Sequence, residues 1–83
     1  MYIFINENFK YSILKILYNK LGLNGKYDFD QFRRGMEVEL EHGTKLGKDT
    51  NVTNNDPIKT AKIVLAHLKE NPQYYDKLDS LGL

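Results

Sequence analysis

Residues 29–43, FDQFRRGMEVELEHG, read as one amphipathic helix. Phe29, Phe32, Met36 and Leu40 recur at the spacing of a helical apolar stripe. Asp28 precedes them as an N-cap, Gln31 stands at the capping-box position, and Gly43 is a terminator. The helix closes on ELEH. At 100° per residue, Glu39 falls about 65° from the centre of the stripe, on the flank of the buried face. Gly35, Val38, Glu39 and His42 form a second line, while Glu37 and Glu41 fall on the wet side.

Working outward, a first helix is predicted at about 7–21. Phe9, Ile13, Ile16, Leu17 and Leu21 form its stripe, Asn6 or Asn8 its cap, and Gly22 its stop. Residues 1–5, MYIFI, read as an apolar lead-in, and NGKYD as a turn. Downstream, 43–56 is a polar loop, about as long as structureless loops in compact domains become without a function. Thr53 or Asp56 then caps a third helix at 57–70, with Pro57 in its first turn. Ile58, Ala61, Val64, Leu65 and Leu68 form the core stripe, and Lys59, Lys62 and Lys69 the wet side. His67 lies beside the core stripe and is expected to be at least partly buried. Asn71 and Pro72 restart the chain as a fourth helix at 72–81, with Tyr74 or Tyr75, Leu78 and Leu81 facing inward. The expectation is an all-α, compact single domain of about four helices, with a structured polar loop between helices 2 and 3.

Composition bounds the function classes. A chain of 83 residues with 41% apolar residues supports one core and buries roughly two-thirds of its unfolded surface. There is no Cys, which excludes disulfides and thiolate metal sites. No apolar run nears the ~20 residues that span a bilayer. The start lacks the pattern of a secretory leader. These features predict an intracellular protein away from membranes. Residues 1–34 carry six basic and three acidic side chains, 35–56 two and five, and 57–83 four and three. The acidic middle argues against broad phosphate binding.

Three readings of the polar residues compete. In the favoured one, Glu39, His42 and His67 satisfy backbone N–H groups of the 44–56 loop and pin it to helix 3, with Glu41, Tyr74 and Tyr75 as further partners. The domain is then an accessory or protein-interaction module with no cofactor. The alternative is a divalent metal site for Zn, Mn or Fe. Glu39–x–x–His42 and His67–x–x–Glu70 give each of two helices the carboxylate–imidazole spacing of dinuclear bundle proteins. Glu39, His42, His67 and Glu70 would be its ligands. The further carboxylates such a site wants are poorly supplied, with only Glu7 near the first helix and Asp76 and Asp79 expected to be exposed. The third reading is weak nucleic-acid binding by Lys10, Lys15, Lys20, Lys26, Arg33 and Arg34, interleaved with Tyr11, Tyr18 and Tyr27. An enzyme is disfavoured. Ser12 and Ser80 have no base partner, and GTKLGK (43–48) lacks the spacing of a phosphate loop.

The run FDQFRRGMEVELEHG, followed by TNVTNNDPIKTAKIVLAHLKENPQYYDKL (50–78), resembles a family of small domains of unknown function. Its pattern is F-R-x-G-M-x-x-E-x-E-H-G, then T-N-V-T-x-D-D-P, then I-A-x-A-H-L-x-E-x-P-x-Y-Y. The resemblance spans about residues 20–78 and implies phage, bacterial or large DNA-virus relatives. It draws attention to Glu39, Glu41, His42, Gly43, Thr50, Asn51, Thr53, Asp56, His67, Glu70, Tyr74 and Tyr75, without assigning any of them a catalytic role. Asn55, where the pattern carries Asp, and Val64 depart from it.

Overall fold

The computed structural model describes residues 10–82. Among them the chain forms four α-helices and no strand: α1 Tyr11–Lys20, α2 Phe29–Val38, α3 Pro57–Glu70 and α4 Tyr74–Ser80. Three short 3₁₀ turns, Glu39–His42, Thr44–Leu46 and Lys48–Thr50, lie between α2 and α3. The protein is therefore an all-α single domain. No helix among the described residues is long and apolar enough to cross a membrane.

The core is one cluster that runs through all four helices. Leu14, Leu17 and Tyr18 enter from α1, Phe32 and Met36 from α2, Ala61, Val64 and Leu68 from α3, and Tyr75 from α4. The α1 stripe is thus Leu14, Leu17, Tyr18 rather than Ile13, Ile16, Leu17. Ile13 and Ile16 are exposed, and Ile58 lies outside the core as well. Both α1 stripes are apolar, so periodicity alone cannot choose between them. The choice follows Tyr18, whose ring packs edge-on to Phe29 at 5.1 Å and against Phe32 at 5.9 Å. Phe9 and the caps expected at Asn6 or Asn8 lie outside the described residues.

Two caps form from aspartates. Asp28 accepts from Gln31 N at 3.1 Å, and Asp56 accepts from Ile58 N and Lys59 N at 2.9 and 3.0 Å. These bonds satisfy amides that a helix start leaves orphaned. The reciprocal half of the capping box at α2 does not form. Gln31 is buried, and its Oε1 instead accepts from Tyr75 N at 3.2 Å, tying the start of α4 to α2.

Close approach of α2 to its neighbours depends on Gly35. A Cβ there would sit 2.5 Å from Tyr75 Cε2 and 2.7 Å from Val64 Cγ1, so glycine is what allows α3 and α4 to seat on α2. The helix then tightens at Glu39 into a 3₁₀ turn and does not run on to residue 42 as one α-helix.

The 43–56 segment is held by its own backbone and short polar side chains. The His42 carbonyl accepts from Val52 N at 2.6 Å and Thr53 N at 3.0 Å. Asn55 accepts from Thr44 N and donates to Thr44 Oγ1, both at 2.9 Å. Asn54 and Asn55 take left-handed φ values of 52° and 63°, which asparagine tolerates better than most residues. Asn51 Oδ1 accepts from Asn54 N at 2.7 Å.

Candidate functional site

The tightened turn delivers Glu39 into the interior. It is 3% exposed, the least accessible carboxylate among the described residues. Tyr75, 2% exposed, donates its hydroxyl to Glu39 Oε2 at 2.8 Å. Two imidazoles converge on the same carboxylate. His67 Nε2, from α3, stands 3.4 Å from Oε2. His42 Nε2, from the 3₁₀ turn, stands 3.2 Å from Oε1. That second approach is off the line of a hydrogen bond, and Glu39 Oε1 is left buried with no hydrogen-bond partner. Glu41 Oε2 lies 3.7 Å from the same His42 nitrogen. Glu39, Glu41 and His42 can each offer one donor atom, with all three within 4.8 Å of one another.

The α3 imidazole is oriented from both sides. Its Nδ1 faces Glu70 Oε1 at 3.4 Å, and the Tyr74 ring stacks on it at 4.2 Å with an 11° tilt. Glu70 therefore meets the ring edge that points away from Glu39. It lies outside the convergent donors and acts on the orientation of His67. With Nδ1 facing Glu70, Nε2 is turned toward the buried carboxylate.

These groups floor a cleft of about 580 Å³ between the end of α2 with its 3₁₀ turn, α3 and α4. Val38, Tyr74 and Leu78 supply apolar wall, and Arg34 stands at its edge. Arg34 already pairs with Asp76, with Asp79 at 3.1 Å and with Asp30 at 3.5 Å. Its charge is spent on joining α2 to α4, and the floor keeps a net acidic character from Glu37, Glu39 and Glu41. The Tyr75 hydroxyl is pushed well above the ordinary tyrosine value. Burial is the main cause, followed by its hydrogen bond to Glu39 and then that group's charge. It is a neutral donor throughout the physiological range.

The structure thus brings Glu39, Glu41, His42, His67, Tyr74 and Tyr75 to one place. Asn51, Thr53 and Asp56 belong elsewhere, to loop closure and to the α3 cap. The expectation that the Glu39, His42 and His67 side chains pin the loop is corrected. The loop hangs on the main-chain carbonyl of His42, which faces it while the ring turns into the cleft. Sequence reasoning placed Gln31 at a capping box and Gly35 on the line of Glu39 and His42, and missed that both seat Tyr75.

No curated protein and no solved structure matches the chain. A family model described as "Protein of unknown function (DUF5661)" matches residues 6–82, and the chain belongs to that family.

Proposed function

We propose that the domain binds a divalent metal ion in the α2–α3–α4 cleft, through Glu39 and His42 with Glu41, and with His67 beside them. One observation carries this reading: the buried Glu39 Oε1 has no hydrogen-bond partner and faces an imidazole nitrogen at 3.2 Å. A buried unpaired acceptor costs about 1–3 kcal/mol, more when charged, so proteins rarely keep one without a use. An ion relieves that cost. Metal–ligand bonds of about 2.1 Å place neighbouring donor atoms roughly 3.0–3.4 Å apart. The His42–Glu39 separation of 3.2 Å fits, and the 3.7 Å to Glu41 needs a small rotation of an exposed side chain. Mixed imidazole and carboxylate donors suit Zn, Mn or Fe.

A melt of chelator-treated protein, with and without Zn²⁺, Mn²⁺ and Fe²⁺, tests the reading. A ligand that binds only the folded state raises Tm. The expected result is a rise of several degrees with at least one ion, abolished in His42→Ala and reduced in His67→Ala. No rise with any of the ions would refute it.

A second reading, an accessory protein-interaction domain, draws support from the apolar side chains the loop and α3 start leave in solvent. Leu46, Val52 and Ile58 are 58%, 72% and 54% exposed. Nucleic-acid binding draws less, because Arg33 and Arg34 are engaged by Asp30, Glu37, Asp76 and Asp79.

A further inference from the structure

We infer that Tyr75 is a positioning residue that determines which metal the cleft accepts, by holding Glu39 to a single free oxygen; this rests on the metal-binding reading above. The phenol has one proton to donate and gives it to Glu39 Oε2 at 2.8 Å. Oε2, which also lies 3.4 Å from His67 Nε2, is thereby drawn toward the phenol, and Oε1 is the oxygen that faces His42 and Glu41. Glu39 is biased toward monodentate ligation.

The phenol cannot easily leave that position. Its ring fills the space over Gly35, where a Cβ would come within 2.5 Å of Cε2 and 2.8 Å of Cζ. Its backbone N–H is bonded to the buried Gln31, whose own N–H is bonded to the Asp28 cap. Tyr74 packs edge-on against it at 4.9 Å while stacking on His67. The start of α4 is therefore clamped to the helix that leads into Glu39. One pair of adjacent tyrosines orients both a carboxylate and an imidazole.

The consequence is selectivity. Ca²⁺ takes six to eight oxygen ligands and commonly a bidentate carboxylate, whereas Zn²⁺ takes about four donors and accepts nitrogen. A monodentate Glu39 beside His42 favours the second kind of ion. Without the phenol's hydrogen bond, Oε2 is held less firmly and the carboxylate turns both oxygens to the ion more readily.

The test is the ratio of Zn²⁺ to Ca²⁺ affinity, measured by calorimetry on the full chain for wild type, Tyr75→Phe and Tyr18→Phe. Tyr18 is a buried tyrosine remote from the cleft that donates to the Tyr27 carbonyl, so its variant makes the same chemical change and matches the loss of a buried hydrogen bond. The ratio is expected to fall about tenfold or more in Tyr75→Phe, within the range for loss of a partner that orients a metal ligand, and to hold in Tyr18→Phe. An unchanged ratio in Tyr75→Phe, or an equal fall in both variants, would overturn the inference while leaving metal binding intact. A wild-type protein that binds neither ion would remove the metal reading and this inference together.

Discussion

Among the described residues two tyrosines are almost fully buried, and their hydroxyls are treated differently. Tyr18 donates to the Tyr27 carbonyl, a neutral acceptor that closes the turn between α1 and α2. Both partners are satisfied and nothing is left over. Tyr75 donates to one oxygen of a buried carboxylate whose other oxygen has no hydrogen-bond partner. The first bond completes a core, and the second leaves a polar group waiting at the floor of a cleft. Buried polar groups normally follow the Tyr18 pattern. The departure at Tyr75 and Glu39 sets the cleft apart from the α1–α2 side of the core.

The packing is most sensitive at Gly35. Alanine there drives a methyl group into the Tyr75 ring and into Val64, both buried. Despite better helix propensity, Gly35→Ala is expected to cost about 3 kcal/mol, the upper part of the overpacking range, or roughly 12 °C or more in Tm. An unchanged Tm would show that α4 is not clamped as described. Glu39→Ala comes next. It strands the Tyr75 hydroxyl without an acceptor, which is worth about 2 kcal/mol, and it eliminates any metal-induced Tm rise. A variant that still responds to metal would move the ion site elsewhere.

The tyrosine pair itself gives a finer test. Tyr18→Phe and Tyr75→Phe should each destabilise by about 1 kcal/mol near neutral pH. Tyr75 adds a pH dependence. The folded Tyr75 phenol holds its proton above the ordinary value near 10, so above that pH the unfolded state releases a proton first. The stability this group contributes is fully present below about pH 10 and is lost as pH rises beyond it. Denaturant titrations at pH 8 and pH 10.5 should show wild type falling more steeply than Tyr75→Phe; parallel slopes would count against the shifted phenol. The smallest effect belongs to the loop. Asn55→Ala removes the bonds to Thr44 at a left-handed residue and should cost about 1 kcal/mol. It should leave metal response unchanged, because the loop and the cleft use opposite sides of His42. Hydrogen exchange at the Thr44 amide checks the first expectation, and a melt with Zn²⁺ the second.

Much of this was legible in the sequence, for local reasons. The α2 stripe, the cap at Asp28, an α3 cap at Thr53 or Asp56, and the flank position of Glu39 all follow from spacing within a few residues; the structure chooses Asp56. The cluster of Glu39, His42 and His67 was legible as a candidate because helical periodicity places each on an inward flank. Its geometry was not. The Tyr75–Glu39 bond joins residues 36 apart, and no local pattern says which tyrosine of a pair turns inward. The i, i+3 spacing places Glu70 beside His67 but cannot say which ring nitrogen it meets. The α1 register was ambiguous because either of two apolar stripes could face the core, and only the aromatic contacts of Tyr18 decide it. The loop's anchor was hidden for another reason. It is a backbone carbonyl, which carries no side-chain signature.

A metal ion bound as proposed would join Glu39 Oε1 to His42 Nε2. The most direct measurement is anomalous diffraction at the zinc edge from crystals grown with Zn²⁺. One strong peak is expected in the cleft, at about 2.0–2.2 Å from both atoms, with the Tyr75 hydroxyl still on Oε2. Zinc found only at the outer surface, with Glu39 and His42 keeping their metal-free arrangement, would contradict it.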